Sequence, residues 1–180
     1  MATTAANLVQ GPANIYFGAF GAAEPADAVA VPASAVWKDA GATKDGVTIT
    51  IEQEYSELEV DQLADIAGQR LVKRTIKVET NLAENTLENL KTALNGGTVA
   101  TVNYTPGTGV LSGQEPTYSA LIIDGVAPSG KNRRIIVRKV LSTDNVEFSY
   151  AKDDQSVFSV TFTAHYVSGT IDPFKITDAP

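Results

Sequence analysis

Apolar and polar residues alternate with a period of two along several stretches of this chain, the signature of strands with one buried face. In VTITIEQEY, Val47, Ile49, Ile51 and Tyr55 alternate with Thr48, Thr50, Glu52 and Glu54. In QRLVKRTIKVET, Val72, Ile76 and Val78 face one way and Lys73, Thr75, Lys77 and Glu79 the other. The most regular run is VFSVTFTAHY, where Phe158, Val160, Phe162, Ala164 and Tyr166 alternate with Ser159, Thr161, Thr163 and His165. The same pattern predicts strands at TVATVNY (98–104), YSALIID (118–124) and RRIIVRKVLS (133–142).

Between the first two strands the pattern breaks. After Tyr55 the apolar parity shifts to Leu58 and Val60, while Glu57, Glu59, Asp61 and Asp65 accumulate before Gly68. A lost register followed by an acidic stretch predicts a long loop over 56–68. A single helix is predicted over 82–95: Asn81 offers an N-cap with Glu84 three residues on, and Leu87, Leu90 and Leu94 form a stripe. Asn95, Gly96 and Gly97 stop it by tolerating left-handed backbone.

Residues 1–36 carry Ala, Gly and Pro without a sustained period and read as an extended arm. Ile15, Tyr16, Phe17 and Phe20 give that arm enough apolar area to dock on a neighbour. The predicted organisation is an arm over 1–36, a β domain over 37–170 and a tail over 171–180. Short strands, turns between them and one helix at the side imply a mainly β fold with one flanking α-helix, a β-sandwich or barrel.

Composition narrows the function. The 180 residues are 43% hydrophobic and 19% charged, enough for a real core in one domain with attached arms. A formal charge of −7 argues against wrapping or reading nucleic acid, which needs clustered Lys and Arg. No apolar run approaches the ~18 residues that span a bilayer, and the N-terminus lacks a basic, then apolar leader, so no membrane association and a cytoplasm-like compartment are expected. Cysteine is absent, which removes disulfides, thiolate nucleophiles and thiolate metal sites together.

The chemistry-bearing motifs are weak. GVAPSGKN places Gly125, Gly130 and Lys131 at phosphate-loop spacing, but Asn132 stands where a magnesium-binding Ser or Thr is needed and a strand follows instead of a helix. It reads as a turn, with Lys131, Arg133 and Arg134 as solvated charges or an interface patch. His165 is the sole histidine, on the polar side of a strand, without a nucleophile or acid partner nearby in sequence. The sequon at Asn103–Tyr104–Thr105 means nothing without secretion. Glu52 and Glu54 point the same way along one strand, which suits a solvated face or the acidic lining of a passage better than glycoside hydrolysis. No catalytic residue, cofactor or metal site is expected, and a carbohydrate-binding domain is disfavoured by one Trp without clustered aromatics.

The stretch from Trp37 to Leu94 resembles the major tail (tail tube) proteins of long-tailed bacteriophages with non-contractile tails, especially those of actinobacteria. The resemblance rests on the Trp37–Gly46 lead-in with TKDGVTI, on VDQ at Val60–Gln62 in the acidic loop, and on the helix phrase AENTLENLKTAL. It implies a β-sandwich subunit of the tail tube type that forms homo-hexameric rings, stacked into a hollow tube for DNA delivery. It implies that Ser56–Gly68, with Glu57, Leu58, Glu59, Val60, Asp61 and Asp65, contacts the adjacent ring, and that the lumen is acidic, for which Glu52 and Glu54 are the candidate lumen or acidic face. The implied partners are copies of the chain itself and the tape measure, tail terminator and distal tail proteins. DNA would pass without specific contact, and the location would be the virion tail, assembled in the host cytoplasm. The alternative is another self-assembling ring or decoration protein, a secretion-system tube or a capsid decoration subunit.

Overall fold

The computed structural model describes residues 4–62, 64–106 and 115–180; residues 1–3 of the expected arm and Leu63 of the expected loop lie outside them. Ten strands are described: β1 (Asn14–Ala19), β2 (Lys38–Asp39), β3 (Thr43–Leu58), β4 (Gly68–Leu82), β5 (Thr98–Ala100), β6 (Asn103–Thr105), β7 (Ser119–Val126), β8 (Asn132–Ser142), β9 (Phe158–Ala164) and β10 (Phe174–Asp178). One α-helix, α1 (Leu87–Ala93), lies between β4 and β5. The fold is thus mainly β with one helix, as the alternation implies. Eight strands form one antiparallel sheet in the order β2-β1-β7-β8-β9-β4-β3, with β10 also paired to β8; β5 and β6 form a separate hairpin.

The sheet curls around its core. Strands β1 and β9 are separated by β7 and β8, which across a flat sheet means roughly 14 Å. Yet the rings of Phe17 on β1 and Phe162 on β9 meet with centroids 5.6 Å apart. The concave face therefore closes on itself. Ile15, Val78, Leu82, Leu121, Val137, Val140, Phe158 and Phe162 fill it, and Leu90 and Ala93 of α1 cap it. Each of these Val, Leu, Ile and Phe side chains contributes about 1.5–3 kcal/mol by leaving water.

A smaller apolar cluster lies on the convex face. Trp37 packs on Ala120, Ile122 and Ile136, and its indole N–H donates to the Ala23 carbonyl at 2.9 Å. The segment 20–37 crosses the outside of the sheet as a strap. Gly18 lies beneath the Trp37 ring, where an added Cβ would sit 2.7 Å from ring carbon Cε3.

Several expectations need correction. The arm is not free of the domain: Asn14–Ala19 form a strand between β2 and β7, burying Ile15 and Phe17 in this chain's own core. The helix is shorter than 82–95. Its N-cap is Thr86, whose Oγ1 accepts from the Asn89 N–H, because Asn81 is still in β4 and bonds to Asp45 and Ser159. Leu94 ends the helix 43% exposed, so only Leu87 and Leu90 of the stripe pack inward. The run 98–104 is a hairpin, turned at Thr101 with φ 45°. The tail beyond 171 includes β10, paired with β8.

Candidate functional site

The segment after Tyr55 begins as paired strand rather than as a loop, past a β-bulge in the facing strand. Glu54 pairs with Lys73 and Tyr55 with Leu71, so Val72 is the extra residue and pairing continues to Leu58 opposite Gly68. The bulge shifts the side-chain phase of β4 by one while β3 alternates on, so Leu58 falls on the face opposite Tyr55. Strands β3 and β4 thus extend as a long ribbon, and the connection shrinks to 59–67. Only 77–82 of β4 pair with β9; beyond them the ribbon runs on toward its tip without a further strand partner among the described residues, Arg74 still lying over the Phe174 ring of β10.

This ribbon is exposed on both faces. One face prolongs the core face outward with Ile51, Tyr55 and Val72, all more than 40% exposed; Leu58 on the opposite face and Val60 and Ile66 in the connection are exposed as well. A two-stranded ribbon is marginal in water, and an apolar row on it gains nothing unless something covers it. The other face carries Glu52 and Glu54, but not alone. Glu54 stands directly opposite Lys73, Glu52 opposite Thr75, and Thr50 opposite Lys77. With Glu79, Thr161 and Thr163 alongside, this face is polar and of mixed charge, which corrects the acidic face expected from β3 by itself. Cross-strand neighbours, invisible within one run of sequence, decide the sign.

Carboxylates do gather at the tip, where Glu57, Glu59, Asp61 and Asp65 are all exposed. At the opposite end of β3, its pairing with β4 is interrupted by Asp45 and Gly46, both at positive φ, and the outer edge of the strand pairs with no other strand among the described residues. A long unpaired edge is a template for another chain.

The strap is tied down by a buried cation that sequence reading left in solvent. Arg134 is 2% exposed. Its Nε and Nη2 donate to the two carboxylate oxygens of Asp124 at 2.7 and 2.5 Å, and Nη1 and Nη2 donate to the carbonyls of Asp27 and Ala30 at 2.6 and 2.9 Å. The hydrogen bond to Asp124 pushes the guanidinium further above its ordinary value. Asp27 in turn accepts from the amides of Val29 and Ala30, and these bonds hold its carboxyl below the usual range. The sequence signal was present, since Arg134 alternates with Ile136 on the convex side. Its acid partner on the next strand was not legible.

The remaining expected residues are dispersed. Tyr16 lies on the convex face beside the Trp37 cluster, with its hydroxyl pushed up by burial and then by Asp39 and Asp124, while Phe20 is half exposed at the start of the strap. GVAPSGKN is the β7–β8 turn. His165 follows the end of β9, edge-on to Tyr118 at 5.4 Å, with Nε2 buried and unpartnered. It borders an open cleft lined also by Arg74, Tyr166, Ile171 and Pro173. Among the described residues no group of three His, Asp or Glu is placed to hold a metal ion. The arrangement offers surfaces and edges rather than a reacting centre. No curated protein matches the chain. A family model described as "Phage tail tube protein" matches residues 1–175.

Proposed function

Because the chain belongs to the phage tail tube protein family, a structural rather than enzymatic family whose members assemble in the virion tail, we propose that its copies close into hexameric rings. The rings stack into the hollow tube of a long, non-contractile tail, through which DNA passes into the host without specific contact. The tape measure, tail terminator and distal tail proteins bound this tube, which is assembled in the host cytoplasm.

The observation that carries the ring reading is the β3–β4 ribbon. It extends beyond the β9 pairing, is apolar on one face, and has an outer edge that pairs with no strand among the described residues. Neighbouring copies cover that edge and that face. Residues 56–68, with Glu57, Leu58, Glu59, Val60, Asp61 and Asp65 exposed, reach the next ring. The polar face with Glu52, Glu54, Lys73 and Lys77 borders the channel, where balanced charge and threonine hydroxyls give a wall that holds neither sign strongly. Of the arm residues, Phe20 and Tyr16 remain for contacts between copies.

Electron microscopy of the concentrated protein, alone and with its tail partners, tests this. Six-fold rings or tubes are expected. Compact monomers under every condition, or rings of another symmetry, would overturn the hexameric reading.

A further inference from the structure

Asn95 is the only asparagine in this chain followed by glycine. In such a pair the glycine nitrogen can attack the asparagine side-chain carbonyl carbon, because no Cβ on the following residue hinders the approach. The new C–N bond closes a succinimide ring, the side-chain nitrogen leaves as ammonia, and water then opens the ring to aspartate or isoaspartate. The reaction needs no enzyme and no co-reactant but water. It does need freedom, since the side chain must swing onto a backbone nitrogen that can give up its proton.

The fold withholds both. Past α1, Leu94 caps the helix and Asn95 takes a left-handed φ of 56°. The Gly96 N–H donates to the Lys91 carbonyl at 3.0 Å and the Asn95 N–H to the Thr92 carbonyl at 3.2 Å, a Schellman closure that occupies the attacking nitrogen. The Gly96 carbonyl accepts from the Tyr104 hydroxyl at 3.1 Å, which fixes the same peptide from its other side. Meanwhile the Asn95 side chain is committed to β8. Its Nδ2 donates to the Ser142 carbonyl at 2.8 Å and its Oδ1 accepts from the Ser142 N–H at 2.7 Å, so the amide stands in for the backbone of a neighbouring strand. We propose that Asn95 is a modification site that folding closes: its amide survives in the native chain and is lost from chains that stay unfolded.

The products do not fit the place that Asn95 leaves. Aspartate presents two acceptor oxygens and no donor, so a carboxylate would face the carbonyl of Ser142, a residue only 5% exposed. Isoaspartate adds a methylene to the main chain and breaks the spacing of the Schellman turn. Either change weakens the joint between the end of β8 and α1, which caps the core through Leu90 and Ala93. A chain that lingers unfolded thereby loses a contact of its native state, while the folded chain protects it.

The full chain held in mildly alkaline buffer, folded in one arm and in guanidinium chloride in the other, tests this. Peptides spanning each asparagine are read by mass spectrometry for conversion of amide to acid and for isoaspartate. The unfolded chain should convert first at Asn95, and the native chain at least about tenfold more slowly there, because reaction must wait for local opening. Equal rates in the two arms, or no preference for Asn95 in the unfolded arm, overturn the proposal. A second measurement reads the pairing with Ser142. Asn95→Asp, with circular dichroism confirming its fold, should be less stable than the parent at neutral pH. The difference should shrink as pH falls below the ordinary Asp value of about 3.9, where the protonated carboxyl regains a donor for the Ser142 carbonyl. A deficit that stays constant with pH overturns the assignment of that pairing as the guard of the site.

Discussion

Replacing Arg134 with Met keeps an unbranched apolar stem under the strap and removes the guanidinium. Asp124 then loses both of its bidentate bonds while only 17% of its side chain reaches water. Breaking a buried pair by deleting one partner costs about 3–5 kcal/mol, because the surviving charge stays uncompensated. The residual exposure of Asp124 places the loss near the lower bound, about 3 kcal/mol, which for a chain of this size lowers the melting temperature by roughly 6–12 °C. The carbonyls of Asp27 and Ala30 lose their donors too, and they recover hydrogen bonds only if the strap lifts into water. Urea unfolding followed by Trp37 fluorescence reads both effects, since the single tryptophan packs under the strap. Adding Asp124→Asn should recover part of the loss by removing the stranded charge. A loss under about 1 kcal/mol for Arg134→Met, or a double variant as unstable as the sum of the singles, would refute the view of Arg134 as the strap's buried anchor.

Three further outcomes follow from the same geometry. Gly18→Ala drives a methyl group into the Trp37 ring at 2.7 Å and should destabilise by about 1–3 kcal/mol with an altered Trp37 emission; unchanged emission and stability would contradict the close packing. Tyr55→Ser with Val72→Ser should leave the unfolding free energy of the monomer within about 0.5 kcal/mol per site, since both are exposed, while abolishing assembly seen by sedimentation; intact assembly would show that the ribbon's apolar row is not an interface. The carboxyls of Asp178 and Asp154 are held below their ordinary value of 3.8, first by hydrogen bonds from Arg133 and Lys44. Their contribution is complete above that value and is lost as pH falls through the lower folded-state value, so Asp178→Asn should flatten the acid side of the stability profile and leave neutral pH little changed; an unaltered acid limb would argue against the pair.

The alternating runs determined most of the strands and the mainly β class, because a strand's two faces are written into successive residues. VFSVTFTAHY and RRIIVRKVLS became β9 and β8 with bounds moved by at most a few residues. Absence of a coherent catalytic pattern was also legible, because chemistry needs particular residue types near one another. The helix was legible as an element but not in its limits. Asn81 and Glu84 match a cap in one dimension, yet β4 keeps Asn81 because Leu82 is needed opposite Phe158 in the core.

What only the tertiary structure decided are relations between distant segments. Nothing local in Asn14–Ala19 says that it fills the place between β2 and β7, since a strand of six residues in an Ala- and Gly-rich stretch gains its stability from its neighbours. Pairing of 55–58 with 68–71, carried past the bulge at Val72, turned an apparent loop into a ribbon, because register is a property of two strands and not of one. Glu52 and Glu54 changed from an acidic face to half of a mixed one once Lys73 and Lys77 were set beside them. Arg134 moved from solvent to the interior because Asp124 and two strap carbonyls, far away in sequence, surround it. Period and composition are local quantities and survive in the sequence, whereas charge compensation, register and edge exposure depend on which strand lies next to which.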